Sequence, residues 1–123
     1  MSTILVIDDE KAILQIIHEV LTSLGHEVET ATDGLEGIRK FDDRSYNLVI
    51  TDIRMPGIDG HGVAEHIRRS ENGSIPVIAI SGTPWLVNRA IFNKVLAKPF
   101  ALTQLVESVD SMVPYYSRAA AGI

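Results

Sequence analysis

Cysteine is absent from the chain, which excludes disulfides and thiol chemistry and agrees with a reducing compartment. No apolar run approaches the ~20 residues that a membrane-spanning helix needs. Cationic side chains are the minority: 11 Lys and Arg stand against 16 Asp and Glu, a formal net charge of -5. That balance argues against broad contact with nucleic acid or anionic lipid. There is no internal repeat, linker or low-complexity stretch. No signal peptide is expected, because a strand-like run begins at Thr3. What remains is a cytoplasmic single domain, with neither membrane nor direct nucleic-acid contact expected. At 123 residues and 46% hydrophobic, it can bury roughly two-thirds of its unfolded surface.

What is present is a pattern of short apolar runs, each ending on a polar group. Thr3-Ile-Leu-Val-Ile7 leads to Asp8-Asp9, and Leu48-Val-Ile-Thr51 leads to Asp52. Val77-Ile-Ala-Ile80 leads to Ser81, and Val95-Leu-Ala97 leads to Lys98. Runs of this kind read as strands buried on both faces. Val28 to Thr32 mixes charged and apolar residues, as an edge strand does.

Helical segments alternate with the strands. The first carries Ile13, Ile16, Ile17, Val20 and Leu24 at helical spacing, with Gly25 as its C-terminal stop. A second, around Gly34 to Asp42, offers Leu35, Ile38 and Phe41 as an inner stripe. The loop Arg54-Met-Pro-Gly-Ile-Asp-Gly60 leads into a third that runs to about Arg69, with Val63 and Ile67 inward and Arg68 and Arg69 solvated. A short fourth helix is expected over Pro84 to Phe92, and a strand over Lys94 to Ala97. The last helix shows Leu102, Leu105, Val106, Val109 and Val113 and is stopped by Pro114.

Five strands and five helices in alternation predict an α/β fold. Its sheet is parallel, with helices on both faces and flavodoxin-like order 2-1-3-4-5. In that order the ligand crevice opens beyond the carboxyl ends of strands one and three, where Asp8-Asp9 and Asp52 stand. Three carboxylates close together repel, so a cation or a proton must neutralise them. Oxygen ligands without cysteine or paired histidine suit Mg²⁺ better than zinc. A neutralised site leaves Asp52 free to act as a nucleophile toward phosphorus, with Ser81 and Lys98 holding the phosphoryl oxygens. The four histidines lack ligand spacing and read as structural.

With Asp8-Asp9-Glu10, Asp52-Ile-Arg-Met-Pro-Gly-Ile-Asp-Gly60, Ile80-Ser-Gly82 and Lys98-Pro-Phe100 in order at strand ends, the chain resembles the receiver domain of two-component response regulators. The resemblance covers nearly the whole length. It implies that residues 1–114 form the receiver domain and 115–123 a C-terminal tail. Asp52 would accept a phosphoryl group from a histidine kinase or histidine phosphotransfer protein, and a downstream effector protein or domain would read the result. Mg²⁺ would bind Asp9, Asp52 and the backbone carbonyl of Arg54, with Asp8 acting mainly through a water or on the other ligands. The resemblance also implies that the Lys98–Pro99 bond is cis. It leaves the oligomeric state open.

The chain departs from the family pattern between Ser81 and Lys98, where the interval is roughly five residues short, ~7 Å of helix. Val95 replaces the customary Tyr or Phe, so signalling is expected to use the loop Gly82 to Leu86, with Trp85 reporting. Ala101 offers no polar cap, a loss of ~1 kcal/mol. His61 stands where an apolar residue is usual and is expected to weaken the third helix's packing. Two rival readings remain: an interaction module independent of phosphorylation, and a hydrolase of an aspartyl phosphate. Hydrolases of that kind want a general acid two places after the nucleophile, where Arg54 cannot deliver a proton.

Overall fold

In a computed structural model that describes residues 2–113, the chain forms one parallel sheet of five strands. The strands are β1 (Thr3–Ile7), β2 (Glu27–Ala31), β3 (Leu48–Asp52), β4 (Val77–Ser81) and β5 (Lys94–Ala97). Their order is β2-β1-β3-β4-β5, as the alternation predicts. Four α-helices connect or flank them: α1 (Lys11–Ser23), α2 (Gly34–Asp43), α3 (Gly60–Arg69) and α4 (Leu102–Met112). The expected stop at Pro114 and the tail 115–123 lie outside the described residues.

Alternation along the strands sorts the core into two layers. Leu5, Ile7, Val49, Val77 and Ala79 face α2, α3 and the crossover that follows β4. Ile4, Val6, Leu48, Ile50, Ile78, Ile80 and Leu96 face α1 and α4. β1, β3 and β4 are buried on both faces, which explains their unbroken apolar runs.

The expected fourth helix over Pro84 to Phe92 is not α-helical. Two 3₁₀ turns, Pro84–Leu86 and Arg89–Ile91, take its place. The short interval leaves few residues for the return along the sheet, and nine residues of α-helix would cover only ~14 Å. The looser rise of a 3₁₀ turn covers more distance per residue. Val87 is extended between the turns, and the Asn88 side chain accepts from the Ala90 amide to start the second. The crossover is secured by burial of Val87 and Phe92 against α3.

Three further expectations change with the tertiary structure. In α1 the buried stripe is Leu14, Ile17 and Leu21, while Ile16 and Leu24 are exposed. In α2, Leu35 points to solvent and Gly34 and Gly37 face inward. A Cβ on Gly34 would collide with the Ile58 carbonyl oxygen, and one on Gly37 with the Ile7 side chain, so the close approach requires glycine. In α4, Leu102 is exposed while Ser108 is buried.

Arg68, expected on a solvated face, is half-buried. Its guanidinium donates to the carbonyls of Gly73 (2.9 Å), Ile75 (2.6 Å) and Ile91 (3.2 Å) and to Asn93 Oδ1 (2.8 Å). It thereby ties the end of α3 to the start of β4 and the end of the crossover. His61 acts similarly. Its Nε2 accepts from the Asn88 amide at 3.0 Å, and its ring meets the Phe92 ring edge-on at 5.8 Å. At the start of α4, Gln104 Oε1 accepts from the Ala101 amide at 3.0 Å, partly making up for the missing polar cap.

Candidate functional site

The site is assembled from the carboxyl ends of four strands. Parallel register brings Ile7 of β1 beside Thr51 of β3, so Asp8 and Asp52 emerge side by side. β3 pairs with β4 and β4 with β5, which places Ser81 and Lys98 at the neighbouring ends. The Lys98 amide donates to the Ser81 carbonyl at 2.8 Å, and the Lys98–Pro99 bond is cis, as the resemblance implies.

Local chemistry fixes each carboxylate. Asp8 is 1% exposed, and its Oδ1 accepts from the Glu10 amide at 2.9 Å. Asp52 Oδ1 accepts from the Ile53 amide at 2.9 Å. The loop after β3 is built from the motif itself. Gly57 turns at φ +75°, a conformation side chains disfavour after Pro56, and Asp59 Oδ1 caps α3 by accepting from the Gly62 amide at 3.0 Å. The backbone of Gly60 lies against the Asp52 carbonyl and Ile53, where a side chain would not fit.

The Lys98 ammonium is the centre of the cluster. It lies 2.8 Å from Glu10 Oε1, 3.3 Å from Asp52 Oδ2 and 3.4 Å from Asp8 Oδ2. Burial alone would lower its pKa, but hydrogen bonding to Glu10 and the charges of Asp8 and Asp52 drive it up instead. The carboxylates respond in the other sense. Desolvation raises the Asp8 pKa to about 6, against the Glu10 amide and Lys98, which lower it; the charge of Asp52 adds to the rise. Desolvation also raises Asp52, with the Asp9 charge adding to the rise and Lys98 opposing it. One ammonium shared among several acids gains from all of them, while each acid retains only part of it.

The structure brings Asp8, Asp52 and Lys98 together as the sequence suggested. Asp9 is exposed, though close enough for its charge to act on Asp52. Ser81 is buried, and its hydroxyl accepts from the Thr83 amide at 3.0 Å. Arg54 is exposed in the loop after β3. Sequence reasoning gave no site role to Glu10. Its carboxylate lies with those of Asp8 and Asp52, with one oxygen from each within 4.8 Å of the others. Its place directly after Asp8-Asp9 was the available signal.

The residues fit a hard divalent cation. The donors are oxygens, and the buried Asp8 Oδ2 accepts no hydrogen bond among the described residues, facing the Lys98 ammonium at 3.4 Å, so it has a lone pair to offer a hard ion. No described helix is long and apolar enough to cross a membrane.

Comparisons with known proteins agree with this geometry. The family model described as the response regulator receiver domain matches residues 4–110. The chain is 31% identical over 115 residues to a probable transcriptional regulator, ycf27, of Cyanidium caldarium, covering 89% of this chain and 45% of that protein. It is 32% identical over 114 residues to an uncharacterized transcriptional regulatory protein, YcbL, of Bacillus subtilis, covering 89% and 50%. The chain thus spans about half the length of these relatives. Among solved structures, the response regulator TrrA of Thermotoga maritima, in complex with Mg²⁺-BeF, superposes with a TM-score of 0.84 at 34% identity, covering 92% of this chain and all of that one (100%). The receiver domain of sensor histidine kinase PA1611 from Pseudomonas aeruginosa, with magnesium in its active-site cleft, gives 0.81 at 29% identity, covering 90% and 96%. On sequence, topology and the placement of its acids and lysine alike, the chain belongs to the response regulator receiver domain family.

Proposed function

We propose that this chain is a phosphoryl acceptor in two-component signalling, with Asp52 as the residue modified. The observation that carries the reading is the convergence of Lys98 on both Asp52 (3.3 Å) and Asp8 (3.4 Å), from three different strand ends. An Asp52 oxygen forms the new O–P bond as the P–N bond to a donor histidine breaks, and the imidazole keeps the bonding electrons. The Ile53 amide donates to Oδ1 and the Lys98 ammonium to Oδ2 at 3.3 Å, so both oxygens are held in place before a donor arrives. Lys98 and the Ser81 hydroxyl then bind the phosphoryl oxygens, positioning and neutralising them.

Asp8, Asp9, Asp52 and the Arg54 carbonyl are the groups that would hold Mg²⁺. When bound, the ion offsets the carboxylate repulsion and the charge of the phosphoryl group. Deprotonated Asp52 is the competent nucleophile, and its raised pKa is the reason that a cation matters.

The donor in this reading is a histidine kinase or histidine phosphotransfer protein in the cytoplasm, and the output passes to an effector protein or domain. Named regulators of transcription among relatives about twice as long support an output on transcription through such a partner. The exposed Trp85 and Leu86 beside the site favour a second reading, an interaction module that does not need phosphorylation.

Incubation with a small phosphodonor and Mg²⁺, followed by intact mass, separates the readings. A labile single adduct lost in Asp52→Asn is expected. Absence of an adduct in the wild type supports the interaction module, and rapid multiple turnover of the donor would indicate a hydrolase.

A further inference from the structure

We propose that Glu10 is a positioning residue, which holds Lys98 as its counter-ion in the resting protein and sets an electrostatic barrier against dianionic phosphodonors. The inference rests on the reading of Asp52 as phosphoacceptor and adds a control on which donors reach it.

Three observations lead there. First, the shortest contact of the Lys98 ammonium is to Glu10 at 2.8 Å, not to either aspartate. Second, Glu10 occupies the N-cap position of α1, yet its side chain makes no capping hydrogen bond. Ser, Thr, Asp or Asn would serve the helix better there. The Glu10 carboxylate bypasses the helix end and reaches across to β5. Third, that carboxylate is 58% exposed, whereas Asp8 and Asp52 are buried. It therefore stands on the solvent side of the cluster.

Its consequence follows from charge. Phosphorylation replaces the single negative charge of Asp52 with a dianionic phosphoryl group, so the demand on Lys98 rises. Glu10 competes for the same ammonium and repels the arriving donor. Both effects slow a dianion more than a monoanion.

Two donors make the test. With acetyl phosphate, a dianion, an Asp52 oxygen forms the O–P bond and acetate leaves with the electrons of the broken bond. With phosphoramidate, protonated on nitrogen and a net monoanion, the P–N bond breaks and ammonia leaves with the pair. Second-order rates of adduct formation at saturating Mg²⁺ are compared for the wild type and Glu10→Gln. The variant is expected to react about three- to tenfold faster with acetyl phosphate and less than about twofold faster with phosphoramidate. In molar salt, where the Debye length is ~3 Å, the acetyl phosphate gain should shrink toward that of phosphoramidate.

A calorimetric titration with Mg²⁺ alone, without donor, is the second readout. A counter-ion role predicts that Glu10→Gln changes the dissociation constant less than about threefold, while loss of a metal ligand would weaken it ~tenfold or more. The proposal is overturned if Glu10→Gln reacts no faster than wild type with acetyl phosphate, or if its gain is equal for both donors. Survival of the full gain in molar salt, or a tenfold loss of Mg²⁺ affinity, overturns it too. A wild type that forms no adduct on Asp52 would instead remove the phosphoacceptor reading, and this inference with it.

Discussion

Two neighbouring parts of this molecule are held together by opposite means. At the carboxyl ends of β1, β3 and β5, Asp8, Asp52 and Lys98 are packed into the protein although two of the three carry like charge. Burial there raises the carboxylate pKa values, so the ionised site works against folding. A few residues away, the crossover from Ser81 to Lys94 lacks a regular helix and hangs on a small number of anchors. Those are Phe92 and Val87 in the core, the Arg68 guanidinium and the His61 ring. The difference teaches where stability and chemistry trade off. Neutralising a buried carboxylate in the first region should strengthen the fold, while trimming an anchor in the second should weaken it.

The largest expected effect tests the second half of that contrast. Phe92 is buried against α3, so Phe92→Ala should destabilise the protein by about 3 kcal/mol in urea denaturation. A loss below about 1 kcal/mol would mean that the crossover is not anchored by its aromatic ring.

The site end should show the opposite sign. The Asp8 pKa is raised from 3.8 unfolded to about 6 folded, so the native state binds the extra proton. Its contribution to stability is full below pH ~4 and is lost as pH rises through ~6. Without Mg²⁺, thermal or urea stability should therefore fall between about pH 4 and 6.5, by on the order of 2 kcal/mol. Asp8→Asn should remove most of that fall and be the more stable protein at pH 7, and millimolar Mg²⁺ should flatten the wild-type curve. A wild-type protein that gains stability over this window would contradict the assignment.

The smallest effect sharpens the boundary between anchors and surface. Trp85 is 75% exposed, and Trp85→Ala should change stability by less than about 0.5 kcal/mol. If its fluorescence in the wild type nonetheless shifts on adding a phosphoryl mimic with Mg²⁺, the Gly82 to Leu86 loop moves with the site. An unchanged spectrum would leave the switch to other groups.

Much of this was readable beforehand because strands buried on both faces need unbroken apolar runs. Such runs announce the residues at their ends. Asp8, Asp52, Ser81 and Lys98 are visible for that reason. Helix faces were harder. In α1, Ile13, Ile16, Ile17 and Val20 form one helical stripe and Leu14, Ile17 and Leu21 another, and periodicity alone does not choose between them. Arg68 looked like a surface charge because nothing in its neighbours reveals that three carbonyls would converge on it.

The order of apolar runs and turn residues was enough, by itself, to determine a parallel α/β sheet and the polar groups at its carboxyl edge. Backbone hydrogen bonding and the right-handed crossover leave such a pattern few other arrangements. Only the tertiary structure decided that Glu10 turns from its helix to Lys98, that Arg68 and His61 tether the crossover, and that the crossover coils as 3₁₀ turns. Those outcomes depend on distances between segments remote in sequence, which local propensity does not encode.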